Sequence, residues 1–264
     1  MRSITPMTVT DIRNHCPAVF AEERDPERTS GRYEFIRTYD IVEALMKAGY
    51  GVSRAQQKRT HAAEDMKYAR HLLTFRPITK FNDVSVGDAV PEVVLLSAHN
   101  GTTAFSLLVG LYRFICANGM IVGDSFESIK VYHRGDAIAE ALEGTKKVYE
   151  YVPKLRDWVE KAQVIELNSR KQNLFAEEAM SIRYGDARPY DASNLLHVRR
   201  PADKGNTMWK VFNRVQENLL KGGIEGQTAT GRRSISRAIN RVTKDVTYNQ
   251  ALWDTAEQFL QKTA

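Results

Sequence analysis

The stretch Glu92-Val93-Val94-Leu95-Leu96-Ser97-Ala98-His99-Asn100-Gly101 decides the fold class of this 264-residue chain. Its first six residues form an apolar run that is typical of a buried strand, and Asn100-Gly101 is a dipeptide that favours a tight hairpin turn. A second such dipeptide, Asn118-Gly119, follows the apolar residues 105–116. Successive hairpins predict an antiparallel β-meander rather than an open parallel sheet.

The sequence around this hairpin predicts further strands and one short helix. Strands are expected at residues 33–39, 50–58, 68–76 and 128–133, where apolar and aromatic residues cluster between turn signals. Asp40 is placed to cap a helix that ends at Gly49. Residues 61–67 are expected to form a loop or turn.

Beyond Asp136 the apolar spacing changes to that of helices. Val148, Val152, Leu155 and Val159 recur every three or four residues, although Pro153 should kink or divide this helix. Helix is expected to continue to about residue 180 and to break near residues 184–186. A third helix is predicted from a cap at residue 206 or 207 to the pair Gly222-Gly223, and a last one from residue 249.

The order of elements predicts an α+β fold, with an antiparallel β-meander in the first half packed against long helices from the second half. Residues 1–30 are polar, contain Pro17 and Pro26, and are expected to form an irregular amino-terminal arm. Residues 31–264 are expected to form a single domain. Within it, residues 31–135 are β-rich and residues 136–264 are α-rich.

Composition narrows the class of protein. Apolar residues at 42% and charged residues at 27% exclude a disordered polymer. The two cysteines, Cys16 and Cys116, form no CxxC pair, so neither a disulfide framework nor a cysteine-rich zinc site is predicted. No signal sequence and no apolar run of roughly 18 residues is present, so a cytoplasmic protein without membrane contact is expected.

The strong enzyme motifs are absent, including the phosphate-binding GxxxxGK[ST], GxSxG, HExxH and GxGxxG. The six histidines are scattered singly, and Ser97 and His99 lack a third orienting group. We therefore predict no catalytic residue, no cofactor and no metal site. The alternative is a metal-dependent nuclease whose site is assembled in space from dispersed side chains, namely His61, His99, His133, Asp124 and Asp136.

The positive charge is concentrated in two zones. The chain has a formal net charge of +6, yet residues 195–250 alone contain 11 Lys+Arg against 4 acids. Residues 54–80 contain a further 7 Lys+Arg against 2 acids, so the rest of the chain is acidic. Zones of this kind indicate a polyanionic partner more strongly than the total charge does.

The first zone contains a run of arginines near the carboxyl end. Arg233, Arg237 and Arg241 recur every four residues, so a helix at residues 231–241 would place them on one face. With Arg232 they are the predicted phosphate contacts. The alternative is a solvated basic helix, or one paired with acids of a neighbouring subunit.

The second zone interleaves cations with rings. Its predicted phosphate contacts are Arg54, Lys58, Arg59, Arg70 and Arg76, while Tyr68 and Phe75 are the predicted stacking platforms for bases. The alternative is that both rings are core residues of an ordinary strand. Because no duplex-binding motif is visible, single-stranded DNA is the predicted partner.

The central motif resembles that of an uncharacterised phage- and plasmid-borne family of domains of unknown function. The resemblance rests on His99-Asn100-Gly101 and on Arg113-x-x-Cys116-x-Asn118-Gly119, and it extends over residues 33–259. It implies a mobile element or bacteriophage in a bacterial host cell, and it implies no activity. By analogy with that setting we expect a single-stranded-DNA-binding or strand-annealing protein of recombination or replication that works as a homo-oligomer. The other alternative is a protein-interaction factor that modulates a host defence or replication complex.

Overall fold

The structure is a computed structural model that describes residues 2–30, 33, 35–58, 63–81, 89–113, 118–121, 129–130, 136–187, 189–227 and 231–263. Its helices are α1 (Val9–His15), α2 (Thr38–Lys47), α3 (Ala63–Tyr68), α4 (Ala137–Glu150), α5 (Val152–Val164), α6 (Ser169–Tyr184), α7 (Met208–Lys221) and α8 (Val242–Thr263). Its strands are β1 (Tyr50–Gln57), β2 (His71–Pro77), β3 (Ala89–Ser97), β4 (Ser106–Arg113), β5 (Asn118–Ile121), β6 (Ile129–Lys130), β7 (Glu225–Gln227) and β8 (Arg233–Ile235).

The chain divides into two compact units. The first unit comprises Met1–Gly119 and Phe126–Val152, and it contains strands β1 to β4 and β6 of the main sheet with helices α1 to α4. The second unit comprises Met120–Ser125 and Pro153–Ala264, and it contains helices α6 to α8, nearly all of α5, and the hairpin of β7 and β8.

The main sheet is the predicted antiparallel meander. Its strand order is β1-β2-β3-β4-β5, and β6 also pairs with β4. One row of the sheet aligns Val52, Phe75, Val93 and Val109 across its first four strands, and all four side chains are buried. Pairs of aromatic and β-branched residues on neighbouring strands stabilise a sheet and fix its register. The structure thus confirms the α+β fold class, with long helices in the second half of the chain.

Local structure departs from the sequence predictions at four places in the first unit. Residues 9–15 of the expected irregular arm form helix α1, and Asn118-Gly119, expected to form a turn, begin strand β5. Residues 35–37 form no strand, and Thr38 begins helix α2 instead. Residues 63–68 form the short helix α3 where a loop was expected. Pro153 does divide the long helical run, since α4 ends at Glu150 and α5 begins at Val152.

The amino-terminal residues are ordered against strand β1. Thr8 and Asp11 form a reciprocal capping box at the start of α1, in which each side chain accepts from the backbone N–H of the other. The backbone N–H of Ser3 donates to Ser53 O at 2.7 Å, and that of Met7 donates to Val52 O at 2.8 Å. This segment therefore covers the outer edge of β1, which a sheet needs to protect against pairing with another chain.

A charged cluster lies inside the first unit. Glu92, which is 1% exposed, accepts hydrogen bonds from Arg76 at 2.7 Å, from Arg2 at 2.9 Å and from Ser53 at 2.7 Å. Both guanidinium groups also lie 4.5 Å from the centre of the Tyr112 ring. Burial by itself would raise the pKa of Glu92, but the charges of Arg2 and Arg76 outweigh it and hold the pKa below its ordinary value.

The second unit is built around helix α7, in which every residue from Met208 to Leu219 except Lys210 is buried. Its apolar residues join an aromatic core with rings from α5, α6 and α8, namely Trp158, Trp209, Phe212, Trp253, Phe175 and Phe259. Its polar residues are buried as well and are hydrogen-bonded. Glu217 accepts from Arg200 and Lys221, and Gln216 donates to Asn249 of α8 at 2.9 Å.

The Glu92 cluster gives a stability prediction. We expect Glu92→Gln to lower the free energy of unfolding by about 3 to 5 kcal/mol, because removing one partner of a buried ion pair leaves the other charges uncompensated. Urea unfolding should be followed by circular dichroism. Tryptophan fluorescence would report mainly on the second unit, because all three tryptophans lie there. The control is Glu43→Gln, whose exposed pair with Lys47 is worth less than about 1 kcal/mol. Equal losses in the two variants would contradict the prediction.

Candidate functional site

The arginine run near the carboxyl end is extended, and the predicted helix at residues 231–241 is wrong. Arg233 to Ile235 form strand β8, residues 236–241 follow without helix, and α8 begins only at Val242. Residues 231–241 are called the basic ribbon from here on. The four-residue spacing of its arginines fits a helix, but backbone partners elsewhere in the unit fix a different conformation.

Those partners come from the end of helix α7 and the residues after it. Strand β8 pairs with β7, and the backbone N–H groups of Ser236 and Ile239 donate to Ile224 O and Leu220 O, both at 2.8 Å. Gly222 has a φ of +69°, and a Cβ there would lie 2.5 Å from Ser236 O. Only glycine combines this backbone conformation with so close an approach. The ribbon backbone is therefore held at several points along its length.

A second anchor is Tyr190, which the sequence analysis did not single out. Tyr190 forms an antiparallel bridge with Gly226 of β7, and its hydroxyl lies 3.2 Å from the Ser234 hydroxyl. A Cβ on Gly226 would meet the Tyr190 ring at 2.3 Å, so the ring lies directly on the glycine backbone. Its other neighbour is the Tyr184 ring, with centroids 4.9 Å apart. A glycine within a strand was the signal that predicts such an approach.

The ribbon has an inner and an outer face. Ser234 and Ser236 point inward, whereas Arg233 (74% exposed side chain), Ile235 (56% exposed) and Arg237 lie on the exposed face, as the two-residue period of a strand requires. Arg232 and Arg241 are exposed too. Arg233 forms an ion pair with Glu225 on the neighbouring strand.

Two of these side chains have no acidic partner. The guanidinium groups of Arg237 and Arg241 form no ion pair with any residue that the structure describes. Residues 153–264, which make up most of the second unit, contain 19 Lys+Arg against 13 Asp+Glu. The exposed face of the ribbon is thus a positively charged strip on a fixed backbone.

Two other arginines of the same unit donate hydrogen bonds to oxygen atoms of the protein itself. Arg183 donates to the carbonyl oxygens of Leu219 and Arg237, and Arg199 donates to Gly222 O and to the Asn218 side chain. These contacts satisfy carbonyl groups at the end of α7, which have no partner within the helix. The second unit therefore uses these two arginines for structure.

The second predicted zone is not one exposed surface. Arg76 and Phe75 are fully buried, Arg70 donates to Thr102 O and the Thr103 hydroxyl, and Arg54 donates to the Gln56 side chain. Lys58 is exposed, Tyr68 is half-buried and lies 3.3 Å from Glu23, and Arg59 lies outside the described residues. Phe75 is a core residue and presents no ring face to a base. Of the named cations that the structure describes, Lys58 is the one that is exposed.

His99 belongs to a buried chain of hydrogen bonds. Thr38 Oγ1 lies 3.0 Å from Nε2 of His71 and 3.2 Å from Nε2 of His99. His71 Nδ1 faces the Ala69 carbonyl at 2.9 Å, so this nitrogen carries the proton and the neutral ring accepts at Nε2 from Thr38. Thr38 can then accept from His99. Burial lowers the pKa of His71 to about 4, which keeps the ring neutral at pH 7.

The residues after His99 form a bend within the eight-residue connection from β3 to β4, which is longer than the tight hairpin turn predicted at Asn100-Gly101. Asn100 Oδ1 accepts from the backbone N–H of Thr102 at 3.2 Å and from its hydroxyl at 2.6 Å, and Gly101 has a φ of +71°. Side-chain acceptance by asparagine and positive φ at glycine are the usual chemistry of a tight turn. The His99-Asn100-Gly101 motif thus lies in the connection between β3 and β4 and contributes His99 to the buried histidine pair.

The side chains that a nuclease site would require either have other roles or lie outside the described residues. Asp136 caps helix α4 by accepting from Ile138 and Ala139, and His99 is held by Thr38. His61, His133 and Asp124 lie outside the described residues. Within the described part of the chain, no three His, Cys, Asp or Glu side chains form a group that could hold a metal ion.

Of the cysteines, Cys16 is buried, and burial raises the pKa of its thiol to about 12. This agrees with a packing residue rather than a reactive thiol. Cys116 lies outside the described residues. None of the described helices is both long and apolar enough to cross a bilayer.

The protein is an α+β protein of two units. One unit contains an antiparallel meander, and the other is helical and bears the exposed basic ribbon. The chain belongs to the family described as domain of unknown function (DUF932), whose model matches residues 27–253. Two proteins of Escherichia coli (strain K12), UPF0380 protein YafZ and UPF0380 protein YfjQ, are each 33% identical to it over 261 residues. The match covers 98% of this chain and 94% of each relative. No solved structure matches it significantly. The resemblance to a family without assigned function is confirmed.

The buried histidine pair predicts a pH dependence of stability. His71 has a pKa near 4 when folded and near 6.5 when unfolded, so the unfolded chain binds the proton more readily between these values. The contribution of His71 to the free energy of unfolding is therefore nearly complete above pH 6.5 and is lost as the pH is lowered toward 4. Between pH 7 and pH 5 the expected loss is about 2 kcal/mol. Urea unfolding of the wild type at both pH values measures this loss.

His71→Asn should be less stable than wild type at pH 7 but should lack most of this loss. His197→Asn, at an exposed histidine, should retain it. An undiminished pH 7 to pH 5 difference in His71→Asn would show that another group causes the loss.

Proposed function

We propose that this protein binds nucleic acid through the basic ribbon, with single-stranded DNA as its ligand. The observation that carries the proposal is the exposed face of residues 231–241, where Arg232, Arg233, Arg237 and Arg241 project from a backbone held by α7 and β7. Guanidinium groups bind phosphate oxygens through charge-assisted, often bidentate hydrogen bonds. A polyanion that follows the ribbon can engage several of them together.

The fixed backbone favours such binding. Ordering a flexible arginine-rich segment on its ligand costs conformational entropy, whereas this segment already has its conformation in the free protein. Only the long side chains need to become ordered. The number of arginines engaged then sets the salt dependence of the affinity.

Two features support a single strand as the ligand rather than a duplex. The arginines lie on an extended ribbon, so the helix that commonly enters a major groove is not formed at this position. Ile235 lies between Arg233 and Arg237 on the exposed face and offers an apolar surface that the face of an unpaired base can cover.

The wider role that we propose is strand binding or annealing by a homo-oligomer in phage or plasmid replication or recombination. It depends on the same ribbon, because annealing requires strands that are bound by backbone contacts with their bases accessible. Light scattering with and without a single-stranded oligonucleotide measures both the size of the assembly and its response to ligand.

Removing two ribbon arginines should weaken DNA binding in a salt-dependent way. For Arg237→Gln/Arg241→Gln we expect the slope of log affinity against log salt to become shallower by about 1.4, because each phosphate contact on a single strand contributes about 0.7. Fluorescence anisotropy of a labelled single-stranded oligonucleotide at several salt concentrations measures this slope. A matched duplex measures strand preference.

The control is Arg170→Gln/Lys171→Gln, which removes the same charge at the start of α6. These positions lie roughly 20 Å along that helix from Arg183, which contacts the ribbon. The control should keep the wild-type slope. Binding by the wild type that is undetectable, or that is independent of salt, would refute the proposed function.

A further inference from the structure

We propose that Glu225 is an intramolecular competitor for phosphate, which occupies Arg233 in the free protein and lowers the affinity of the ribbon for DNA. This inference rests on the proposed function. It makes Glu225 a residue that tunes binding rather than one that contacts the ligand. It also predicts that the ribbon binds DNA more tightly without the Glu225 carboxylate than it does in the wild-type protein.

The geometry places one carboxylate on a face that otherwise carries cations. Glu225 lies directly opposite Ile235 in the β7–β8 pairing, so its side chain emerges on the exposed face between Arg233 and Arg237. Its carboxylate forms an ion pair with Arg233, and both side chains are mostly exposed. Among the described residues the Glu225 side chain makes no buried contact, and its exposed ion pair with Arg233 contributes little to the stability of the hairpin.

The exposed pair also explains how the competitor can be displaced. Ion pairs of this exposure contribute little to stability, because water solvates both partners when they separate. A phosphate can therefore replace the carboxylate on Arg233 at small cost. Arg237 and Arg241, which have no described acidic partner, are available for the first contacts with the strand.

The competitor predicts coupling between two positions. With Glu225 present, Arg233 contributes little to binding, so Arg233→Gln should weaken the affinity only slightly. Without the carboxylate, Arg233 is released to the phosphate, so the same substitution in a Glu225→Gln background should weaken binding more. A simple effect of net charge would give no such dependence, because it acts equally in both backgrounds.

The test is a double-mutant cycle with the full chain and a single-stranded oligonucleotide, measured by fluorescence anisotropy at low salt. Its variants are Glu225→Gln, Arg233→Gln and the double variant. The control Glu178→Gln raises the net charge equally from the exposed face of α6. We expect Glu225→Gln to bind roughly two- to fivefold more tightly than wild type, and Glu178→Gln to bind like wild type.

The outcomes of this cycle distinguish the inference from the proposed function. A gain that disappears in the Arg233→Gln background supports the inference. An equal gain in both backgrounds, or Glu225→Gln binding no tighter than Glu178→Gln, overturns it while salt-dependent binding by the wild type keeps the proposed function. If the wild type binds no DNA, the proposed function fails and the inference fails with it.

Discussion

The end of helix α7 is the constraint on which the surface of the second unit depends. A helix leaves carbonyl groups without intrahelical partners in its last turn, and α7 is buried nearly to its end. Arg183 and Arg199 supply donors to Leu219 O and Gly222 O, and the ribbon supplies the backbone N–H of Ile239 to Leu220 O. Satisfying the buried helix end therefore fixes the path of residues 236–239 and leaves the Arg237 side chain exposed.

The same physical rule explains why arginine counts alone do not define a binding surface. Arg76 in the first unit and Arg183 and Arg199 in the second are hydrogen-bonded to carboxylate or carbonyl oxygens of the protein itself. Arg237 and Arg241 carry the same charge but meet no acidic partner among the described residues. Only the second kind is available to a ligand. The charged zones of the sequence contain both kinds together.

Local signals were sufficient for much of the architecture. Asn100-Gly101 predicted that the chain reverses between β3 and β4, and Pro153 predicted the break between α4 and α5. The cap of α7 was predicted at residue 206 or 207 and is Thr207. Each of these features depends on residues within a few positions of one another. The predictions failed where distant partners decide: the extended ribbon owes its conformation to Ile224 and Leu220, and the site features at Tyr190 and Glu225 had no local signal beyond Gly226.

The sequence by itself determined the α+β class, the order of the meander and the helices, and the concentration of positive charge near the carboxyl end. Hydrophobic period, caps and turn dipeptides encode these features locally. The tertiary structure alone decided which cations and rings are accessible. Phe75 and Arg76 continue an apparently basic, aromatic strand, yet they lie in the interior of a central strand, whereas Arg237 and Arg241 lie on an exposed edge. Burial depends on what packs against a residue from elsewhere in the chain, and the local spacing of residue types does not predict such contacts.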